Sequence, residues 1–457
     1  MGTVALVFGY GRRVKYSVNV LVGAVEQELG DSIDVFVAPL KALPSLLVSL
    51  VEEYGKGRVI YGQTLITTEL PEAINDIIKA VTTARRIGAI PVAGGPHATG
   101  DPYGTLLSLG FEYVFMGDSE ESFTQFLREV VDGGDPKSVR PGLAYIDGED
   151  FVVTGKGRVR DLDKFPAFAL RHRLFNPIEM TRGCPHACRY CQVSYAFGAR
   201  YRHRSVDSIV HHAELMVSHG IRDLRFITPN ALGYGARDGK RDLSMVAELL
   251  ERLRKLKAKE ARIFFGTFPS EVRPEFVDRE AALLLREGVD NRRVIVGAQS
   301  GSDRMLRELH RGHTVEDVTN AVIHLRNAGF DVDVDYIFGL PKESEEDVRE
   351  TLEHMRELIG LGARVHAHVF LPLPGTPYSF EKPGKISEWL RRELFKLLGR
   401  GAMYGQWEAQ ERLAASVARL RDLGVIIITR RRAQELISCF GGINVPLAPK
   451  ILRCVKW

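Results

Sequence analysis

The sequence predicts an α/β protein: a doubly wound parallel sheet, then a partial (β/α)6 barrel of the TIM type, then a mostly helical C-terminal segment. Three observations predict it. Short β-branched runs alternate with amphipathic stretches through residues 1–157, the alternation restarts at Ile178, and after Lys382 helical periodicity takes over. A chain of 457 residues exceeds what one core organises. The expected units are residues 1–157, a linker over 158–177, the barrel over 178–382 and the C-terminal segment over 383–457.

In the first unit the strand candidates are TVALVFGY, SIDVFVAP, GRVIYGQT, IPVAGGPHA and EYVFMGD, separated by helical segments such as ELPEAINDIIKAVTTARRIG. Such alternation builds a parallel, Rossmann-like sheet with right-handed crossovers. GLAYIDGEDFVVTG reads as a closing hairpin, because an Asp-Gly pair, here Asp147 and Gly148, suits the positive φ of a tight turn. Pro166 and Pro177 mark the linker. Six further strands follow: IEMTRG, RDLRFIT, RIFFGTF, RRVIVGAQS, DVDVDYIFGLP and ARVHAHVFLP. Helical patterns follow the first five, so functional residues are expected at the carboxyl ends of the strands. In the C-terminal segment, MYGQWEAQERLAASVARLRDLG reads as one amphipathic helix, VIIIT as a short strand and RRRAQ as a solvated charge run. Met403, Tyr404, Gln406 and Trp407 fit either a cavity wall or the face of a core helix.

Composition narrows the class. Hydrophobic residues make up 45% of the chain and the net charge is +4, which argues neither for nucleic acid nor for a membrane surface. No apolar run reaches the roughly 18 residues of a transmembrane helix; IDVFVAPLKALPSLLVSLV is interrupted by Lys41 and two prolines. In MGTVALVFGYGRR the charges follow the apolar run, the order of a first strand rather than of a signal peptide. A cytoplasmic location is expected, and reducing conditions there favour metal binding over disulfides for clustered cysteines.

MTRGCPHACRYCQVS contains three of the five cysteines, Cys184, Cys188 and Cys191. Thiolates favour zinc or iron–sulfur clusters. A structural zinc site takes four ligands, and Cys439 and Cys454 lie far away in apolar surroundings that suit buried structural thiols. His186 is a ligand by type, but the turn crowds it. A cubane held by three cysteines leaves one iron open to a small molecule.

With Tyr190 before the last cysteine, this spacing resembles the cluster loop of the radical S-adenosylmethionine (SAM) superfamily. The resemblance implies a 4Fe-4S cluster on Cys184, Cys188 and Cys191. It further implies that the open iron chelates SAM and that an electron from the cluster cleaves SAM to a 5′-deoxyadenosyl radical. GAQSGSDRMLRELHRGH resembles the fourth-strand segment, which assigns Gln299, with Ser300 after it, to the SAM ribose and Arg311 to its carboxylate. DYIFGLP assigns Asp335 to SAM, and FLPLPGTP assigns Phe370 and Leu371 to the border of its adenine, with Tyr190 completing the set. Where many relatives carry a glutamate on the third strand, the position here falls near Gly266, with Thr267 and Ser270 as substitutes. Read from the residues alone, Gln299 and Ser300 satisfy strand-end backbone groups and Asp335 caps a turn.

The first unit is similar to the cobalamin-binding domain, at Thr64 to Ile66 (including Leu65), at the double glycine Gly94 and Gly95, and at Gly117 after the fifth strand. Thr67 and Thr68 add hydroxyls to the loop. The first loop, FGYGRRVKYS, has no histidine, so by the resemblance the domain either holds cobalamin without a protein ligand or is a Rossmann-like unit that has lost the cofactor and only shapes the substrate cavity. His97 reads as a surface or capping residue rather than a corrin contact. Arg200, Arg202 and Arg204 fit either an anion or pairing with helix carboxylates.

The resemblance implies a cobalamin-dependent radical SAM methyltransferase acting on an unactivated carbon. Its alternatives are carbon–carbon coupling, cyclisation or rearrangement without methyl transfer, and a non-catalytic iron–sulfur sensor or scaffold. The implied partners are a small-molecule, lipid or peptide substrate and a one-electron donor such as a ferredoxin or flavodoxin, with no nucleic acid.

Overall fold

The computed structural model describes residues 2–237, 240–443 and 445–453. Five parallel strands come first: β1 (Val4–Gly9), β2 (Ile33–Ala38), β3 (Val59–Thr64), β4 (Ile90–Gly94) and β5 (Tyr113–Phe115). They are connected by α1 (Lys15–Leu29), α2 (Leu43–Tyr54), α3 (Leu70–Ile87) and the short α4 (Gly95–Gly100) and α5 (Pro102–Leu107). After α6 (Glu120–Asp132) the antiparallel strands β6 (Leu143–Asp147) and β7 (Asp150–Val153) form the expected hairpin, with Gly148 at φ +60°. The strand order is β2-β1-β3-β4-β5-β6-β7. Its direction reverses between β1 and β3, where doubly wound sheets open a crevice for a ligand.

Strand β1 is buried along its whole length because both faces carry helices. Val7, Leu47 and Ile77 belong to one apolar layer, and Leu6, Val22 and Phe123 to the other.

The six expected barrel strands form, in two arcs. Strand β8 (Ile178–Glu179) precedes a short antiparallel ribbon of β9 (Thr181–Arg182) and β10 (Arg202–His203), with α7 (Gln192–Phe197) between them. Strands β11 (Asp223–Ile227) and β12 (Arg262–Phe264) complete an arc ordered β12-β11-β8. Strands β13 (Arg293–Gln299), β14 (Asp331–Phe338) and β15 (Arg364–Val369) form the second arc, closed by a seventh strand, β16 (Met403–Tyr404). A parallel bridge between Val272 and Val296 joins the arcs. Outside lie α8 (Val206–Ser218), α9 (Leu243–Arg254), α10 (Arg279–Gly288), α11 (Asp303–Glu308), α12 (Val315–Asn327) and α13 (Glu345–Gly360).

Alternation along β14 sorts its side chains. Tyr336 points outward, its hydroxyl 2.9 Å from His354 of α13, while Asp333 and Asp335 face the lumen and meet residues of β15 and β16.

The C-terminal segment contains α14 (Glu388–Gly399), α15 (Trp407–Asp422), α16 (Arg430–Phe440) and α17 (Ala448–Arg453). Helix α15 contributes Trp407 to the barrel core and Val417 and Leu420 to a core layer of the first sheet.

Three expectations are corrected. The amphipathic segment starting at Met403 is not helical throughout, because Met403 and Tyr404 pair with Val365 and His366 as a strand. VIIIT is not a strand: the Ile427 and Ile428 amides donate to the Asp101 carboxylate at 3.0 and 2.7 Å, which removes them from any ladder. Cys439 is exposed rather than buried, on the solvent side of α16, of which Ala433 is the buried residue. Cys454 lies outside the described residues.

Candidate active site

The cysteine loop runs from β9 to α7, with Cys191 as the N-cap of that helix. Ser194 closes the loop, donating from Oγ to the Cys184 carbonyl at 2.7 Å and accepting the Ala187 amide at 3.1 Å. Tyr195 donates to the Ala187 carbonyl at 2.9 Å. Gly183 and Ala187 take positive φ of 81° and 49°, which lets the chain coil tightly around the thiols. Cys188 is buried; Cys184 and Cys191 are partly so.

Burial pushes the Cys191 thiol up to about 12, with the neighbouring thiols adding to the effect, and burial likewise raises Cys184. Two buried guanidinium groups oppose this. Arg311 Nη1 lies 3.5 Å from Cys188 Sγ and Arg273 Nη1 lies 4.0 Å from it. Arg311 also donates to the Gly297 carbonyl at 2.6 Å and to the Tyr190 hydroxyl at 3.2 Å, and Arg273 donates to the Arg311 carbonyl. His186 Nε2, Asn230 Nδ2, the Tyr201 hydroxyl and Arg311 Nε are buried without a partner around this loop. Soft donors converging beside fixed positive charge, with spare polar atoms nearby, fit an anionic iron–sulfur centre and a polar cofactor next to it.

The structure brings most of the expected SAM residues to this end of the barrel. Tyr190 packs with Phe370, Tyr378, Met305 and Leu340. Gln299 ends β13 at φ +76°, at a bulge that folds its amide back over Gly297 beside Arg311. Ser300 turns away, into a buried network with Thr351 and the Ser302 amide. Leu371 is half-buried in the exit loop of β15. Asp335 engages two histidines, with Oδ1 3.0 Å from His366 Nδ1 and 3.8 Å from His368 Nε2. Hydrogen bonds from these rings hold its carboxyl below the usual range against the opposing effect of burial. Of the substitutes near Gly266, Ser270 is spent on the Thr267 carbonyl at 2.9 Å.

Sequence reasoning missed several groups. Glu271, five residues past Gly266, lies close enough to Asp335, His368 and Arg311 to feel their charges, and burial pushes it up to about 7. Asn230 accepts the Arg273 amide at 3.2 Å. Arg273, His366, His368 and Gln410 were also unassigned. The pairing of His366 with His368 at period two was visible as a strand pattern, and nothing local marked it as a lumen face.

On the sheet side, a cavity of about 1020 Å³, counting its open mouth, is walled by both halves. Thr64, Gly94, Gly95 and Gly117 line one side, and Glu179, Arg182, Phe197 and Ile227 the other. Its lining is mostly apolar, as in small-molecule sites. Leu65 instead faces a second cavity with Tyr10 and Glu69. Gly95 has φ +93°, and a Cβ there would meet the Leu65 carbonyl at 2.9 Å. His97 is buried, not at the surface; its Nδ1 lies 2.9 Å from the Thr67 hydroxyl, and burial lowers it to about 4. Arg202 binds Asp118, and Arg204 the Phe165 carbonyl at 2.9 Å, so both knit the fold; Arg200 is exposed. Gln192 of α7 donates to the Pro374 and Pro96 carbonyls at 2.8 and 3.3 Å, linking the cluster loop to both halves.

Residues 178–355 match the model of the radical SAM superfamily, so this segment is a radical SAM domain, the kind of domain that uses a 4Fe-4S cluster and SAM. Among relatives, it is 28% identical over 207 residues to an uncharacterized protein of Methanopyrus kandleri, covering 45% of this chain and 39% of that one. The chain therefore matches about two fifths of that relative's length. It is 27% identical over 342 residues to a tRNA-2-methylthio-N(6)-dimethylallyladenosine synthase of Chlorobium limicola, covering 71% and 72% of the two chains. Among solved structures, the fold is similar to that of the radical SAM methyltransferase TsrM of Kitasatospora setae, solved with cobalamin and a [4Fe-4S] cluster. That similarity has a TM-score of 0.67 at 20% identity, over 84% of this chain and 75% of that one. No helix among the described residues is long and apolar enough to cross a membrane.

Proposed function

We propose that this chain is a cobalamin-dependent radical SAM enzyme, a methyltransferase acting on an unactivated carbon, with units at the expected boundaries of residues 1–157, 178–382 and 383–457. The observation that carries this reading is the apolar cavity between the carboxyl edge of the first sheet and the first barrel strands, with Gly94 open to it and Phe197 of the cluster-loop helix in its wall. A flat, apolar macrocycle needs such a side-chain-free floor. No histidine is among the residues lining it, which supports cobalamin held without a protein ligand. The similarly folded TsrM was solved with these same two cofactors, cobalamin and a [4Fe-4S] cluster, bound.

Cys184, Cys188 and Cys191 hold the cluster in this reading, and Arg311, Gln299 and Tyr190 lie where SAM binds. When bound, these groups supply the electron, the radical and the methyl group. The chain's own part is to keep water out and to offset charge. Arg273 and Arg311 neutralise the thiolates, and Arg182, paired with Glu179 and Glu120 at 2.5 and 2.7 Å, seals the cavity wall. A one-electron donor and a small-molecule, lipid or peptide substrate complete the system. Methylthiolating members of the superfamily carry a second cysteine triad before the barrel, and this chain has no cysteine ahead of Cys184.

The test is anaerobic reconstitution with iron, sulfide and hydroxocobalamin, followed by reduction with SAM. Retained corrin absorbance together with 5′-deoxyadenosine supports the proposal. Deoxyadenosine without corrin moves the function to coupling, cyclisation or rearrangement, and neither product leaves an iron–sulfur sensor or scaffold.

A further inference from the structure

The barrel is not closed all the way round. Strands β12 and β13 belong to different arcs and are not hydrogen-bonded neighbours. A groove lies at this seam, lined by Arg225, Arg262, Phe264, Arg292 and Arg293 and by the carboxylates of Asp290 and Asp331. Alternation sets which side chains reach it. On β11, Leu224 and Phe226 belong to the barrel core, so Arg225 and Ile227 share the opposite face. On β12, Ile263 is in the core and Phe264 points the other way. Ile227 lines the apolar cavity, and Arg225 lies two residues, roughly 7 Å, nearer the amino end of the same strand. One strand face therefore runs from the cofactor end of the barrel to the groove.

The charges in the groove do not cancel. Both carboxylates are already engaged: Asp290 accepts from Lys257 at 2.7 Å and from the Ile263 amide at 2.8 Å, and Asp331 lies 3.4 Å from Arg326. Arg262 donates to Asp223 at 2.7 Å, and Arg293 lies 3.3 Å from Asp333. Among the described residues, neither Arg225 nor Arg292 has a carboxylate within 4.0 Å. Arg292 is exposed. Arg225 is fixed nonetheless: its guanidinium lies 4.2 Å from the centroid of the Phe264 ring and donates from Nη1 to the Phe268 carbonyl at 3.2 Å. A stacked guanidinium that spends one donor on the backbone keeps the rest for a ligand and loses little freedom on binding it. Phe268 itself is 62% exposed, an uncovered apolar side chain next to that donor.

We propose that Arg225 and Arg292 bind an oxyanion, a carboxylate or a phosphate monoester, at one end of an otherwise apolar substrate. The inference rests on the radical SAM reading of this barrel. With SAM at the cluster loop and cobalamin in the apolar cavity, the reacting carbon lies at the upper end of β11 and the anion at Arg225. Phe264 and Phe268 meet the apolar part. Fixed arginines select a group that accepts two hydrogen bonds in one plane. Asp331, more than half exposed beside Arg293, turns away a polyanion such as a nucleic acid backbone.

Calorimetry on the anaerobically reconstituted enzyme tests this with octyl phosphate and nonanoate as probes and 1-octanol as the uncharged comparator. At least one of the two anions should bind about tenfold or more tightly than octanol, and the tighter one names the oxyanion. Inorganic phosphate should compete with it. Arg225→Met and Arg292→Gln should each weaken binding at least about fivefold. Arg292→Gln changes an exposed side chain, so it keeps the test valid where Arg225→Met disturbs the fold. Arg431→Gln, exposed on α16, should change nothing. Octanol binding as tightly as both anions overturns the assignment, as does anion binding that survives both groove variants. Tighter binding of a single-stranded RNA, lost in the same variants, overturns it as well and gives the groove to nucleic acid. Deoxyadenosine formation is read in the same samples. Its presence without anion binding sinks the groove and spares the radical reading; arginine-dependent anion binding without deoxyadenosine does the reverse.

Discussion

Acid should loosen the floor of the apolar cavity through one side chain. His97 is fully buried, hydrogen-bonded to Thr67 and lowered by burial from 6.5 to about 4. A histidine whose folded pKa lies below its unfolded value contributes stability above the unfolded value, and loses it as pH falls from 6.5 towards 4. At pH 5 the loss is RT ln[(1+10^1.5)/(1+10^−1)], about 2 kcal/mol, rising to about 3 kcal/mol below pH 4. The perturbation is His97→Gln, which keeps a hydrogen-bonding group for Thr67 and cannot titrate. Urea unfolding at pH 7.5 and pH 5 is compared within each protein, so that other titrating groups cancel. Wild type should lose about 2 kcal/mol more than the variant over this interval. Equal losses in the two proteins would refute the reasoning, because His97 would then already be protonated or solvated in the folded state.

Cys188→Ala should reduce reconstituted iron from about four per chain to background, measured by metal analysis, since two thiols do not hold a cubane. Gly94→Leu should abolish corrin retention while leaving iron content unchanged, because Gly94 has extended backbone and nothing closer than 3.8 Å to an added Cβ, so the side chain enters the cavity without straining the chain. Arg311→Met should weaken SAM binding by at least about tenfold in equilibrium dialysis. Cluster absorbance should survive in that variant, because Arg273 still faces Cys188.

Much of the framework was legible because its signals are local. Six barrel strands, the Asp-Gly hairpin and the cysteine loop each announce themselves within a dozen residues. What stayed hidden depends on partners far along the chain. VIIIT has the composition of a strand, yet its amides are claimed by Asp101, more than three hundred residues earlier. Met403 and Tyr404 form a strand because β15 offers an open edge, not because of their own propensity. Near Gly266, where relatives carry a strand glutamate, the strand itself offers only Thr267 and Ser270, whereas Glu271 approaches from the loop beyond it. His366 and His368 alternate as any strand pair does, and only the register with Asp335 gives them a role.

Helix α15 is shared between two hydrophobic cores, and this has a consequence for biosynthesis. The first sheet is complete once β7 has been made, but the apolar surface awaiting Val417 and Leu420 stays uncovered until those residues leave the ribosome. At about 5–20 residues per second that delay lasts on the order of 15–50 s. Nascent chains therefore carry a sticky seam for most of their translation, and truncations before α15 should yield aggregated rather than merely inactive protein.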